Sequence, residues 1–307
     1  RGGPPSRGGG NTHKFYCSMG KDVEQKEIQL TIQGQTISSK YGNFLSARYN
    51  LEQLFSAGLK KEITSHKAKT FTSDELQLLE SLSQDSHESY SKLRSHKMFV
   101  PYLEEVSPLS FFNKLNIASR PNKRKNAKKL TLEDLRAIPF VGAWTQMKQN
   151  IAGFYGLGSS IEKHFKEGKK QELKNLYKNS PFFNALVENA MQSLSKSYFP
   201  LTYYLQNDEK FSGFWELLYK EYKLACKNLT EVSGQKKLME KDPLSSRSIQ
   251  IREEIVLPLL VIQHYAMTKI REAKTQNKLQ KNLNIDIYEK IILKALAANV
   301  NASRNSV

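Results

Sequence analysis

Residues 135–146 run Leu135-Arg136-Ala137-Ile138-Pro139-Phe140-Val141-Gly142-Ala143-Trp144-Thr145-Gln146, and the fold turns on how this stretch is taken. A short unbroken apolar run bounded by turn residues has the form of a fully buried strand. The sequence therefore predicts a buried strand over 136–144, opened by Arg136. Thr131–Leu135 before it has the form of a short capped turn. Further upstream, Leu115-Asn116-Ile117-Ala118 is also strand-like and runs into Ser119-Arg120-Pro121 and the basic tract PNKRKNAKK. A third strand or hairpin is predicted within 27–37, where Ile28, Leu30 and Ile32 alternate with Gln29, Thr31 and Gln33 before a turn at Gly34.

Helical periodicity governs the rest. Asn43–Leu59 sets Ala47, Leu51, Leu54 and Phe55 on one face. Thr72 followed by Glu75 is a capping box that starts the next helix, and Ser107-Pro108 opens another in the N-cap and N1 manner. Further helices are predicted over 160–178, 181–196, 199–225, 247–272 and 285–300, with Pro258 kinking the fourth of these. No internal repeat and no sharp composition shift divides the chain. The expected fold is mainly α with a few short strands, whose ends carry arginine-bearing loops.

The chain has 307 residues and a formal net charge of +17, a length that allows one large domain or two ordinary ones. Its content of apolar residues, with 15 Phe and 14 Tyr, excludes wholesale disorder. The longest apolar run, Ile255–Ile262, is far short of the roughly 20 residues that cross a bilayer. Cys17 and Cys226 are the only cysteines; they exclude a disulfide scaffold and a structural zinc site and point to a reducing compartment. The chain begins at Arg1 without Met, so it is expected to be processed or a piece of something longer.

The positive charge admits three readings: attraction to nucleic acid by counterion release, a basic cleft for small phosphates or carboxylates, or a solvated lysine surface. Arg1 and Arg7 lie in glycine-rich sequence, Arg120 follows a predicted strand end and Arg136 opens another. Guanidinium groups bind carboxylate and phosphate bidentately, and glycine loops can close over an anion. Residues 1–10 also have the composition of an RGG-type RNA-binding tail, with two copies rather than many. Lys123-Arg124-Lys125 with Lys128-Lys129 has the form of a nuclear-localisation or nucleic-acid patch, or of plain solvated loop. The six histidines are scattered; His87, His96 and His264 are expected in core or surface roles, and His13 in a structural one. Glu104-Glu105 and Glu253-Glu254 are adjacent pairs that point apart on a helix. Lys196 and Arg252 are ordinary cations by spacing, which cannot bring them together.

Taken in order, Arg1-Gly2-Gly3 and Arg7-Gly8-Gly9-Gly10, then Ser119-Arg120-Pro121 with Lys123-Arg124, then Leu135-Arg136-Ala137-Ile138-Pro139 and Ala143-Trp144-Thr145-Gln146 resemble phosphoenolpyruvate carboxylase. Pro181-Phe182-Phe183, Ile249-Gln250-Ile251-Arg252 and the Leu296-Ala297-Ala298 helix continue the likeness over essentially all of the chain. The family's chains are roughly three times longer, so the resemblance implies a C-terminal third. It implies the C-terminal part of a helix-elaborated TIM-type (β/α)8 barrel within one catalytic domain. Residues 1–146 would supply the glycine loop and last barrel strands, and 147–307 a helical bundle with the inhibitor-site residues.

The implied reaction joins phosphoenolpyruvate and bicarbonate to give oxaloacetate and phosphate, through carboxyphosphate and an enolate. The resemblance assigns Arg1 and Arg136 to the phosphate, Arg120 to substrate or carboxyphosphate, and Arg7 to carboxyphosphate. It places an aspartate or malate inhibitor on Arg7, Lys196, Arg252 and an asparagine near the C-terminus, Asn301 or Asn305. The family commonly ends in Asn-Thr-Gly and this chain does not, which sets inhibition apart from catalysis. Mg²⁺ or Mn²⁺ is implied, with its ligands N-terminal to this segment and none within it. A cytoplasmic homotetramer is implied, without nucleic acid or membrane, and a segment inactive alone. The competing expectation is a basic RNA- or DNA-binding helical protein that uses the RGG-type segment.

Overall fold

A computed structural model of the chain describes residues 12–19, 32, 36–64, 71–115, 131–275 and 285–303. The helices are α1 (Thr12–Cys17), α2 (Thr36–Tyr41), α3 (Phe44–Thr64), α4 (Ser73–Ser95), α5 (Phe99–Glu105) and α6 (Ala137–Gln146). They continue with α7 (Leu157–Lys166), α8 (Lys170–Asn179), α9 (Pro181–Ser195), α10 (Ser212–Ser233), α11 (Pro243–Thr275) and α12 (Ile285–Ser303). Short 3-10 helices span Pro108–Lys114, Leu132–Asp134, Ile151–Gly153 and Phe199–Asn207.

The strand expected over 136–144 is the helix α6. Ala143 and Trp144, and Met147 at its C-cap, are deeply buried, with Phe140 packed partly buried against the same core. Positions 140, 143, 144 and 147 follow the helical period, not the alternation of a strand. Pro139 sits in the first turn, where a missing N–H costs nothing. Gly142 lets the Phe112 ring close onto the helix, since a Cβ there would lie 2.8 Å from Phe112 Cζ. The expected barrel strands therefore fail: no strand, sheet or barrel occurs among the described residues, only an isolated bridge at Leu135. Leu115 caps the 3-10 helix 108–114, and 116–118 lie outside the described residues. Most of the 27–37 hairpin does too, while Thr36 and Ile37 belong to α2.

Local capping signals hold. Thr72 and Glu75 exchange both capping-box hydrogen bonds, and the Ser180 hydroxyl accepts from Phe183 N at 3.1 Å to start α9 behind Pro181. The helix expected over 160–178 is divided into α7 and α8 by a turn at Gly168, whose φ is +83°. The one expected over 199–225 is a 3-10 segment followed by α10. α11 continues through Pro258.

The main core is aromatic. Phe99 lies 5.8 Å from Trp144, and Tyr102 lies 6.0 Å from Trp144 and 5.0 Å from Phe214. α10 contributes Phe214, Trp215, Leu218, Ala225, Leu229 and Val232 to this core. Trp144 thereby packs α6 against α5, and Phe214 packs α10 against the same α5 rings. A smaller cluster of Ala266, Met267, Ile270 and Ile292 seals α12 onto α11.

Candidate functional site

The C-terminal end of α6 builds the site. After Gln146 the chain turns through Lys148 in the left-handed region, with φ +55°. That conformation is costly for a side chain with a Cβ and persists only where the surroundings impose it. Here they do. Lys148 O accepts from Tyr198 N at 2.8 Å, and Asn150 N donates to Ser197 Oγ at 3.2 Å. The next residue, Gln149, is fully buried; its Oε1 accepts from Tyr102 Oη at 3.0 Å and its Nε2 donates to Thr202 Oγ1 at 2.9 Å. Thr202 Oγ1 also accepts from Trp215 Nε1 at 2.9 Å. The segment 148–150 is thereby locked beside 197–198, the exit of α9.

This lock carries Lys148 next to Lys196, the C-cap of α9. The Lys148 side chain is 4% exposed, and its Nζ is 2.5 Å from Glu253 Oε1 on α11. Arg252 is adjacent on the same helix and touches Ser248 Oγ through Nη1 at 3.4 Å. Lys148, Lys196 and Arg252 thus form a cation cluster around one carboxylate. Burial, then the charges of Lys148 and Arg252, push the Lys196 ammonium down to about 8, with Glu253 opposing. Burial also lowers Lys148 and Arg252 against the same opposition from Glu253. The Lys196 side chain makes no hydrogen bond or ion pair among the described residues, while its backbone N–H donates to Gln192 O at 3.2 Å. A desolvated, underpaired cluster of this kind has a standing affinity for small anions.

The structure brings together two expected site residues, Lys196 and Arg252, that sequence spacing left apart. Sequence reasoning missed Lys148, and took Glu253 only as one of a pair with exposed Glu254. No local signal marks either, because both matter only through contacts more than a hundred positions away. Arg136 is at the opposite end of α6 as its N-cap, and that helix is about 15 Å long. Its Nε is buried and has no hydrogen bond among the described residues. Asn301 is exposed in the last turn of α12. Arg1, Arg7, Arg120 and Asn305 lie outside the described residues, as do the RGG-type segment and the 123–129 basic tract.

His264 is a core residue, as expected. Nε2–H donates to Gln146 O at 3.1 Å and Nδ1 faces Tyr204 Oη at 3.2 Å, while burial pushes the ring down to about 4. Among the described residues no three His, Cys, Asp or Glu side chains gather to hold a metal ion. The described residues do not fit a metal centre.

The family model of phosphoenolpyruvate carboxylase matches residues 1–303. The chain belongs to the phosphoenolpyruvate carboxylase family. It is 32% identical to a phosphoenolpyruvate carboxylase of Corynebacterium glutamicum over 295 residues, covering 93% of this chain and 32% of that protein. A relative of the same name from Prochlorococcus marinus is 29% identical over 293 residues, with 92% and 29% covered. The chain therefore spans about a third of the length of the curated carboxylases it matches. No helix among the described residues is long and apolar enough to cross a membrane.

Proposed function

We propose that this chain acts as the C-terminal third of a phosphoenolpyruvate carboxylase, the lyase that joins phosphoenolpyruvate and bicarbonate to give oxaloacetate and phosphate. The family match over residues 1–303 carries this reading. Bicarbonate oxygen attacks phosphorus, the bond to the enol oxygen breaks, and carboxyphosphate and enolate result. Carboxyphosphate then divides into CO₂ and phosphate, and the enolate carbon captures CO₂.

Every species is anionic, so the chain's contribution is fixed positive charge and exclusion of water. Arg136 suits the phosphate because its guanidinium is held at the start of α6 with a buried, unbonded Nε. Arg1 would share the phosphate, Arg120 would position substrate or carboxyphosphate, and Arg7 would stabilise carboxyphosphate. Mg²⁺ or Mn²⁺ would be held by residues outside this segment and would supply charge neutralisation. The assembled enzyme is proposed as a cytoplasmic homotetramer.

The cluster of Lys196 and Arg252 is proposed as a feedback site for aspartate or malate, joined by Arg7 and by Asn301 or Asn305. The half-buried Lys196 side chain, without a hydrogen bond or ion pair among the described residues, supports this reading.

The decisive experiment is Arg136→Ala in the full-length enzyme, assayed for oxaloacetate by coupled NADH oxidation. Loss of one preorganised charge-stabilising donor costs about 10²–10³ in turnover. Near-normal turnover in a folded variant would refute the assignment.

A further inference from the structure

Helices α1, α2 and α3 on one side and α9 with the start of α11 on the other enclose a cavity of about 260 Å³. Lys148, Lys196 and Arg252 do not line it, so it is separate from the cation cluster. Its wall is polar, and part of that polarity is unanswered. Lys40 on α2 lines it, is only 9% exposed, and its ammonium has no hydrogen bond or ion pair among the described residues. Burial holds that ammonium below its ordinary value. The side-chain amides of Gln53 on α3 and Gln192 on α9, both half-buried in the same wall, likewise make no hydrogen bond among the described residues. A desolvated ammonium and amides without partners are costly, and a ligand in the cavity would complete them.

The charges in the wall select the ligand. Asp242 is engaged: its Oδ1 accepts from Ser245 N at 3.2 Å and its Oδ2 lies 3.8 Å from Lys14 Nζ. Glu188 Oε1 accepts from Tyr177 Oη and, at 2.9 Å, from Gln235 Nε2. The charge of Lys40 is thus the one left over. A single free ammonium suits a single carboxylate, and the two acids oppose a second negative charge. A phosphate dianion is disfavoured for the same reason, and no described arginine lines the cavity to grip it with a bidentate fork. The amides of Gln53 and Gln192 both donate and accept, as ligand hydroxyls do. The volume lies below the roughly 300–1,000 Å³ of sites for drug-sized molecules, so the ligand is small.

We propose that this cavity binds a small polyhydroxylated monocarboxylate, of the sugar-acid class, with its carboxylate on Lys40 and its hydroxyls on Gln53 and Gln192.

The test is calorimetric titration of the full-length protein with gluconate, sorbitol and hexanoate. These are chains of equal length that carry both kinds of group, hydroxyls alone and a carboxylate alone. A charge-assisted hydrogen bond corresponds to roughly ten- to hundredfold in affinity, so gluconate is expected to bind at least about tenfold more tightly than either. Lys40→Met should bring gluconate down to the level of sorbitol. That variant removes a buried, unpaired ammonium and should melt no lower than the parent. The double variant Gln53→Leu/Gln192→Leu, which leaves Lys40 in place, should weaken gluconate and leave hexanoate unchanged. Lys196→Met should leave gluconate affinity as it was.

If gluconate fails to bind the unaltered protein, or binds no better than sorbitol and hexanoate, the proposal falls. It falls equally if gluconate affinity survives both Lys40→Met and the double variant. Loss of gluconate binding in Lys196→Met would place the ligand at the cation cluster and overturn the assignment to this cavity.

Discussion

At the scale of single residues, Lys196 has the clearest pH signature. Its ammonium titrates near 8 rather than at its ordinary 10.5, because burial and two neighbouring cations disfavour the charge. An anion that binds the cluster needs that charge. Dicarboxylate affinity is therefore expected to be full at pH 7 and to fall as pH rises through about 8, as calorimetry across pH 7–9.5 would record. Flat affinity over this range would exclude Lys196 from the binding set. Stability has the opposite sign. Between about pH 8 and 10.5 the unfolded chain binds more protons at this lysine than the folded one, so its contribution to stability rises with pH over that window.

The elements depend on close approaches that single glycines allow. α7 crosses α10 where Gly158 meets Ala225, and a Cβ on Gly158 would lie 2.4 Å from Ala225 N. The crossing is fastened by Asn228 Nδ2, which donates to Gly158 O at 2.9 Å. It is fastened again by buried Glu221, whose Oε1 accepts from Gly156 N at 3.0 Å and Ser159 N at 3.1 Å at the start of α7. An anion there answers the orphan amides of a helix N-terminus. Gly158→Ala must push backbone against backbone and should cost about 1–3 kcal/mol, measured by urea unfolding. Gly213→Ala in α10 meets nothing within 4 Å and serves as the comparison, expected to be neutral or slightly stabilising. Equal effects of the two substitutions would contradict the crossing.

For the whole molecule, the +17 charge divides into two populations. Most ion-paired lysines among the described residues are surface cations such as Lys163 with Asp85 and Lys210 with Glu105. Lys148 is withdrawn from water and Lys196 is half-buried beside it, and these few are the cations of the proposed site. α3 carries a row of exposed apolar side chains, Phe44, Leu45, Phe55 and Ile63, each more than two-thirds exposed. Patches of that kind mark surfaces that bind other protein. Residues 1–307 purified alone should therefore be helical by circular dichroism, self-associate in sedimentation, and form no oxaloacetate. Bicarbonate-dependent turnover by this chain alone would overturn the proposal that it works only as part of a longer enzyme.

What was legible in the sequence follows from interactions within a few residues. The capping box at Thr72, Ser107-Pro108 before the 3-10 helix 108–114, and the helical run over 181–196 each state their element locally, because caps and period-3.6 faces are satisfied by near neighbours. The ordered motifs around Arg1, Arg120, Arg136 and Trp144 were enough to indicate the family. Residues 136–144 were misjudged as a strand because an all-apolar run has no polar positions to reveal its period. Only the rings of Phe99, Tyr102 and Phe214 decide that Ala143, Trp144 and Met147 share a buried face. The cation cluster was equally hidden. Lys148, Lys196, Arg252 and Glu253 come from three separate segments, and long-range packing of α6, α9 and α11 alone sets their spacing. The sequence by itself determined the locally capped helices and the family, through capping and motif order. Tertiary structure decided the helical state of the central motif and the gathering of the cation cluster, because both depend on which distant side chains pack against them.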